Sequence, residues 1–149
     1  MPDSHLLANR GPIQSVLYIC SQNVIRSPIA EALTKLLFPG RIFAESAGVM
    51  AGAADPFVEA VMAERGVDLS GHVPKGLDEL EDSYFDLYVT LTPQAHHRIL
   101  DSTRDQAVLV EYWPMMDPAD VTGSRETILN AYRNVREALQ RRIEDRLSN

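Results

Sequence analysis

Apolar residues occur along this chain in short runs of two kinds, separated by polar segments. Continuous apolar runs are typical of buried strands, and they predict strands near Val16–Ile19, Arg41–Ala44, Asp86–Leu91 and Ala107–Val110. Runs with helical spacing predict helices over Pro28–Phe38, Pro56–Arg65, Pro93–Ser102 and Arg125–Leu147. Strands that alternate with helices are typical of a parallel sheet covered by helices. The pattern therefore predicts an α/β fold, a single three-layer domain with a four-stranded parallel sheet flanked by helices.

The length of 149 residues fits one domain that can bury a sizeable core. Residues 1–14 contain polar residues and prolines but no apolar segment like the core of a secretory signal. We therefore expect residues 1–14 to form a flexible N-terminal extension and residues 15–149 to form the domain. No stretch approaches the ~20 apolar residues of a membrane-spanning helix, so we expect no membrane partner.

Charge and thiol content narrow the range of functions. The net charge of −7 argues against nucleic acid as the main partner. A single cysteine without a secretory signal is typical of a reducing compartment, which indicates a cytoplasmic location. His96 and His97 are adjacent on a predicted helix and point about 100° apart, so they cannot share a metal ion and are expected at the surface. We expect no metal and no cofactor.

The single cysteine stands where a strand passes into a helix. Cys20 ends the first predicted strand, and Arg26 and Ser27-Pro28 follow at the start of the helix. Backbone N–H groups converge in such a loop, and the positive end of the helix dipole favours an anion there. These donors and Arg26 favour the nucleophilic thiolate, while the planar guanidinium can hold two phosphoryl oxygens. The alternative, a core cysteine with an unrelated arginine, does not explain why strand, loop and helix start occur together.

Thiolate attack on a phosphate ester expels an oxygen leaving group, and an acid must protonate that oxygen for efficient turnover. Asp117 is the candidate acid, because it follows the fourth predicted strand and so lies on the same side of the sheet as Cys20. The alternative is that Asp117-Pro118 forms an ordinary turn. The spacing by itself leaves both possibilities open.

Several short motifs together resemble the low-molecular-weight protein tyrosine phosphatases and the arsenate reductases built on the same scaffold. The resemblance covers nearly all of the chain after Gln14. The matching segments are Cys20-x5-Arg26-Ser27-Pro28, Ser46-Ala47-Gly48, Gly66-Val67-Asp68-Leu69-x-x-His72, Phe85-Asp86-Leu87 and Asp117-Pro118.

The resemblance implies a role for each matching residue. Cys20 would be the nucleophile, Arg26 would bind phosphate and stabilise the transition state, and Asp117 would be the general acid and then the base. The substrate-binding residues would be Ser21, Gln22, Asn23, Val24, Ile25 and Ser27. Asn23, Ser27 and His72, supported by Ser46, would form the hydrogen-bond network that shapes the loop, with Ser27 also assisting the thiolate.

The chain departs from the family pattern at the loop and beside the acid. Gln22 replaces a glycine, which would strain the loop by of order 1 kcal/mol if that position needs a positive φ. Ala119 and Asp120 replace aromatics that line the substrate slot, which predicts poor selectivity for aryl phosphates and repulsion of acidic phosphopeptides. Tyr112 or Trp113 could supply the missing wall.

The sequence favours a cysteine-dependent phosphomonoesterase that acts on a phosphorylated protein or a small aryl phosphate, through a cysteinyl-phosphate, and releases inorganic phosphate. One alternative is an arsenate reductase that uses an external small thiol, since the two further cysteines of thioredoxin-coupled reductases are missing. The other alternative is a module that binds phosphate or a phosphoprotein without catalysis.

Oxidation of Cys20 is the first testable consequence. Ile25 stands where relatives place a second cysteine, so an oxidised Cys20 has no neighbouring thiol to form a disulfide. Peroxide should therefore carry it from sulfenic acid toward irreversible forms, detected by mass spectrometry as added oxygens or an amide adduct. Cys20→Ser is the control that accounts for methionine oxidation. Full recovery of the thiol without added reductant would contradict this expectation.

Overall fold

The protein was analysed as a computed structural model, which describes residues 12–80 and 84–148. These residues form one parallel sheet with the strand order β2-β1-β3-β4. The strands are β1 (Ser15–Cys20), β2 (Phe43–Gly48), β3 (Leu87–Thr90) and β4 (Leu109–Tyr112). The helices are α1 (Arg26–Leu37), α2 (Pro56–Ala63), α3 (Pro93–Ser102) and α4 (Arg125–Leu147).

The central strand β1 divides its side chains between two apolar cores. Successive residues of a strand point to opposite faces of the sheet. Val16 and Tyr18 pack into a large core with residues of α1, α2 and α4, whereas Leu17 and Ile19 pack into a smaller core with residues of α3. Helices therefore cover both faces, and the predicted three-layer α/β fold with four parallel strands is confirmed.

The predicted bounds of α3 and α4 are confirmed, while two strands are displaced. β2 runs over Phe43–Gly48 instead of Arg41–Ala44, because its pairing with β1 extends as far as Cys20 and Gly48. β4 runs over Leu109–Tyr112 instead of Ala107–Val110, because its register with β3 pairs Thr90 with Tyr112. The bounds of β2 and β4 were therefore decided by pairing with a neighbouring strand. The pattern of apolar residues along the chain carries no information on that pairing.

Three helices begin at a capping side chain. The carboxylate of Asp55 accepts from the N–H of Phe57, and the hydroxyls of Thr92 and Ser124 cap α3 and α4 in the same way. Such caps satisfy backbone donors that have no partner within the helix. They fix where α2 and α3 start, next to the carboxyl end of the sheet.

Helices α2 and α4 are joined by buried and half-buried charges. Arg136, with 8% of its side chain exposed, donates to the carbonyl of Val61 at 2.8 Å and to the carboxylate of Glu64 at 2.7 Å. Arg133 also pairs with Glu64 at 2.7 Å. Hydrogen bonds from Arg133 and Arg136 lower the pKa of Glu64 to about 2. The α2–α4 contact therefore combines apolar packing with a carboxylate that stays ionised.

Some expectations concern residues at the edges of this description. Residues 1–11 of the expected extension lie outside the described residues. Ile13, however, packs against the large core, and the carbonyl of Gln14 accepts from the N–H of Phe43 at 2.8 Å. His97 is exposed as expected, but His96 is half-buried, with its Nδ1 atom 2.8 Å from Thr90 Oγ1. No helix in the described part of the chain is long and apolar enough to span a membrane.

The buried face of α4 should dominate its contribution to stability. Leu139 has no exposed surface, whereas Leu100 on α3 is 49% exposed. Leu139→Ala should lower the free energy of unfolding by about 2–5 kcal/mol, because it leaves a cavity in the large core. Leu100→Ala should cost less than about 1 kcal/mol. Denaturant unfolding of both variants tests this, and equal losses would contradict the assigned packing.

Candidate active site

The carboxyl ends of the strands border a cleft of about 620 Å³. Cys20, Arg26 and Asp117 all line it, although they come from the end of β1, the start of α1 and the segment after β4. The structure therefore brings the three predicted catalytic side chains together. Ser21, Gln22, Val24 and Ile25 also line the cleft.

The loop between Cys20 and Arg26 leads into a helix without a side-chain cap. Ile25 occupies the N-cap position of α1 and makes no side-chain capping bond. The carbonyls of Ser21 and Gln22 accept from the N–H groups of Met50 and Gly52, at 3.1 and 2.9 Å. The segment after β2 thus holds the carbonyls of the loop. An uncapped helix start next to a nucleophile is an arrangement that suits an anion.

Asn23 organises the space behind the loop. Its Oδ1 atom accepts from the N–H of Lys75 at 3.0 Å, which assigns Nδ2 as the donor side of the amide. Nδ2 donates to the hydroxyls of Ser27 at 3.0 Å and Ser46 at 2.9 Å. Ser46 in turn donates to the carboxylate of Glu31 at 2.5 Å. The predicted Asn23–Ser27–Ser46 network is thus present, and it ends on an acid that the sequence did not indicate.

This network leaves the Ser27 hydroxyl free to donate to a Cys20 thiolate. Since Ser27 Oγ accepts from Asn23, its own hydrogen is free to be donated, and Cys20 Sγ lies 2.9 Å away. The other acceptor in reach is the carbonyl of Ala47 at 3.3 Å. A hydroxyl donor at this distance stabilises negative charge on sulfur. The side chains of Asn23 and Ser27 are buried and do not line the cleft. Their predicted role in substrate binding stays a prediction.

The strained position in the loop is not the one that the sequence suggested. Asn23 has a φ of 57°, whereas Gln22 is not among the described residues with positive φ. Asparagine tolerates this left-handed conformation better than most residues, so Gln22 imposes no such strain. His72 Nε2 lies 2.9 Å from the carbonyl of Asn23, which supports the turn. The glycine that the loop requires is Gly48, where a Cβ atom would lie 2.6 Å from the backbone N of Asn23.

Arg26 connects the loop between Cys20 and Arg26 to the segment that carries Asp117. Its Nη1 atom donates to the carbonyl of Met115 at 3.0 Å, and its Nη2 atom lies 3.8 Å from Asp117 Oδ2. The other oxygen of Asp117 accepts from the N–H of Ala119 at 2.9 Å. The side chain of Asp117 is 37% exposed against 15% for Arg26. The carboxyl group therefore stands at the cleft surface, while the guanidinium lies deeper.

The aromatic wall of the cleft comes from residues that sequence reasoning missed. Phe57 of α2, which is half-buried, lines the cleft. Tyr132 of α4 stands behind it, 2% exposed and packed in the large core, with the two ring centroids 5.5 Å apart. Trp113, one of the two expected substitutes, is 2% exposed and packs against Tyr18 in the core. Tyr112 is the other, and it stacks on the ring of His96 away from the cleft. The predicted poor selectivity for aryl phosphates stays a prediction, with Phe57 as an aromatic surface that the sequence did not indicate.

Tyr132 is tied to the start of α2 through its hydroxyl group. The phenol donates to Asp55 Oδ2 at 2.6 Å, while Asp55 Oδ1 accepts from the N–H of Phe57 at 2.8 Å. Burial, the hydrogen bond to Asp55 and the charge of the nearby Asp117 raise the pKa of Tyr132 above its ordinary value. Tyr132 therefore remains a neutral donor. Among the described residues, no group of three or more His, Cys, Asp or Glu side chains could hold a metal ion.

Comparison with known proteins agrees with this site. The family described as low molecular weight phosphotyrosine protein phosphatase matches residues 15–148. AmsI of Erwinia amylovora, named as a member of that family, is 36% identical over 109 residues, which are 68% of this chain and 74% of AmsI. Glutaredoxin arsenate reductase of Synechocystis sp. is 25% identical over 133 residues, covering 89% of this chain and 95% of the reductase. The crystal structure of tyrosine phosphatase AmsI gives a TM-score of 0.72 at 27% identity, with 95% of this chain and 97% of AmsI covered.

The chain belongs to the low-molecular-weight protein tyrosine phosphatase family, because the family match spans almost the whole described domain. It is therefore a hydrolase of the low-molecular-weight phosphatase type. Arsenate reductases are also among its relatives, so one scaffold supports two kinds of chemistry on an oxyanion.

The role of Ser27 can be tested through the reactivity of Cys20. Ser27→Ala removes the donor 2.9 Å from Cys20 Sγ, and hydrogen bonds to charged groups contribute about 1.5–3 kcal/mol. Labelling by iodoacetamide at neutral pH should therefore slow by about tenfold or more. Ser46→Ala, one hydrogen bond further from the sulfur, should have a smaller effect. Wild-type labelling of Ser27→Ala would contradict the proposed stabilisation of the thiolate.

Proposed function

We propose that the chain is a cysteine-dependent phosphomonoesterase that hydrolyses phosphotyrosine on proteins, or another aryl phosphate, through a cysteinyl-phosphate. One observation carries this proposal: a cysteine with a serine hydroxyl 2.9 Å from its sulfur shares one cleft with an arginine and an accessible aspartate. This combination supplies a nucleophile, a cation for the phosphoryl oxygens and a proton donor. The reaction needs no metal, because Arg26 and the loop amides supply the positive field.

In the first step, the thiolate of Cys20 attacks phosphorus and the bond to the ester oxygen breaks. The electron pair of that bond passes to the leaving oxygen, which takes a proton from Asp117. Arg26 and the N–H groups of the loop bind the three remaining oxygens, on which charge accumulates. The Arg26–Asp117 distance of 3.8 Å lets one phosphate group contact both side chains.

In the second step, water attacks the cysteinyl-phosphate. Asp117, now ionised, takes a proton from the water, the S–P bond breaks and its electron pair returns to Cys20. Ser27 assists here, because its hydroxyl stabilises the thiolate as a leaving group. Inorganic phosphate is released and both catalytic groups return to their starting states. The chemistry needs a reduced thiol, which is consistent with the proposed cytoplasmic location.

The preference for an aromatic leaving group is supported by the half-buried ring of Phe57 at the cleft, which buried Tyr132 holds from behind. An aromatic pair contributes about 0.5–1.5 kcal/mol beyond area burial, which would favour a phosphorylated ring in the cleft. A phosphorylated protein is the proposed partner, and phosphate is the product.

Arsenate reduction with an external thiol is the second candidate, favoured by the similarity to an arsenate reductase along 95% of that protein. Binding of phosphate or a phosphoprotein without turnover is the third. Release of phenol from an aryl phosphate, thiol-dependent loss of arsenate, and binding alone distinguish the three. Cys20→Ser should abolish both reactions, whereas a binding module would keep its ligand in that variant.

The acid role of Asp117 predicts a dependence on the leaving group. Asp117→Asn should slow turnover of aryl phosphates with poor leaving groups by ~10²–10⁴-fold, with much less effect on activated ones. A series of substituted phenyl phosphates measures this through kcat. Asp120→Asn, on the same segment, is the matched control. An equal loss for every leaving group would assign Asp117 a structural role.

A further inference from the structure

We propose that Asp55 selects substrates that carry a positive charge next to the phosphorylated residue. This inference rests on the proposed function and names the substrate class of the same cleft. It starts from the charges of the cleft. Among the described residues that line it, the charged ones besides the Cys20 thiolate are Arg26, Asp55 and Asp117.

The charges of Arg26 and Asp117 are cancelled once a substrate is bound. A phosphate group in the loop neutralises Arg26. Asp117 must carry a proton to act as general acid, so it contributes no charge at that stage. Asp55 is then the remaining charged carboxylate among the described residues that line the cleft. A cationic group close to the phosphate would meet a carboxylate, while an acidic group would be repelled.

Asp55 is also fixed in place before any substrate arrives. One carboxylate oxygen accepts from the N–H of Phe57 at 2.8 Å, and the other accepts from the phenol of Tyr132 at 2.6 Å. A surface ion pair is normally weak because two long side chains must be ordered. Here the carboxylate is already ordered, and each oxygen keeps a free lone pair for a further donor. Asp55 is held by Phe57 and Tyr132, the residues on the aromatic side of the cleft. The phosphorylated ring and the neighbouring cationic group of a substrate would therefore be bound side by side.

Two nearby charged residues should interact more weakly with the substrate than Asp55 does. Asp120, which the sequence suggested as the repelling acid, is exposed and does not line the cleft. Arg125 lies over the ring of Phe57, with its Cζ atom 5.4 Å from the ring centroid, and it does not line the cleft either. Both charges act through solvent, where salt screens them strongly.

The test compares two phosphotyrosine peptides of equal length, one with arginine and one with glutamate beside the phosphotyrosine. The measured quantity is the ratio of kcat/KM for the basic and the acidic peptide, in which a general loss of activity cancels. Wild type should prefer the basic peptide at low salt. Asp55→Asn should reduce that ratio by roughly two- to fivefold, mainly through KM. Asparagine can still cap α2 through its amide oxygen, and its NH2 group can donate to the Tyr132 hydroxyl, so both contacts keep a partner.

Asp120→Asn is the matched control, since it removes the same charge from a residue outside the cleft. Its ratio should stay close to that of wild type. An unchanged ratio in Asp55→Asn, or an equal reduction in Asp120→Asn, would overturn the proposal. Peptide binding to Cys20→Ser, with and without Asp55→Asn, keeps the test independent of turnover. If wild type hydrolyses no aryl phosphate while this binding preference persists, the proposed function fails and the role of Asp55 stands.

Discussion

The backbone turn at Asn23 is the constraint on which the site depends. A loop that returns from β1 into α1 has to reverse within a few residues, and Asn23 achieves this with a φ of 57°. Its side chain then stabilises that conformation by bonding to the N–H of Lys75 and to two serine hydroxyls. The same amide therefore shapes the loop and, by donating to Ser27 Oγ, leaves that hydroxyl free to donate to a Cys20 thiolate. Conformation and reactivity are set by one buried group.

The sheet provides the rigid frame for this loop. Cys20 pairs with Gly48 at the end of β1, and the close approach of the loop leaves no room for a side chain at Gly48. The parallel strands end at one edge of the sheet, which brings Arg26 and Asp117 into the same cleft as the sulfur. Arg26 reinforces the arrangement, because it donates to the carbonyl of Met115 in the segment that carries the acid. The three side chains with proposed chemical roles, Cys20, Arg26 and Asp117, are thus positioned by backbone contacts from three parts of the chain.

The wall of the cleft is built from helices and not from the loop after Pro118. Ala119 is too small to contact a ring broadly, and Phe57 lines the cleft from α2 with Tyr132 of α4 behind it. Their positions depend on the α2–α4 packing, in which Arg136 and Glu64 bridge the two helices. The aromatic side of the cleft therefore depends on the large core, whereas the proposed catalytic groups depend on the sheet. Side chains on packed helices give a more rigid wall than a loop would.

The sequence by itself determined the fold class, the bounds of α3 and α4, and the presence of Cys20 and Arg26 in one strand-to-helix loop, whereas it favoured Asp117 only through the family resemblance. These follow from local patterns, since apolar periodicity, caps and a strand-to-helix loop are all written within short segments. Tertiary structure decided the rest, because it depends on residues far apart in the chain. Tyr132 and Asp55 are 77 positions apart, and no local pattern indicates that they meet in the cleft. The absence of a positive φ at Gln22 and the observed ends of β2 and β4 also differ from the sequence-based expectation. Backbone conformation and strand length are fixed by the neighbours that a segment packs against.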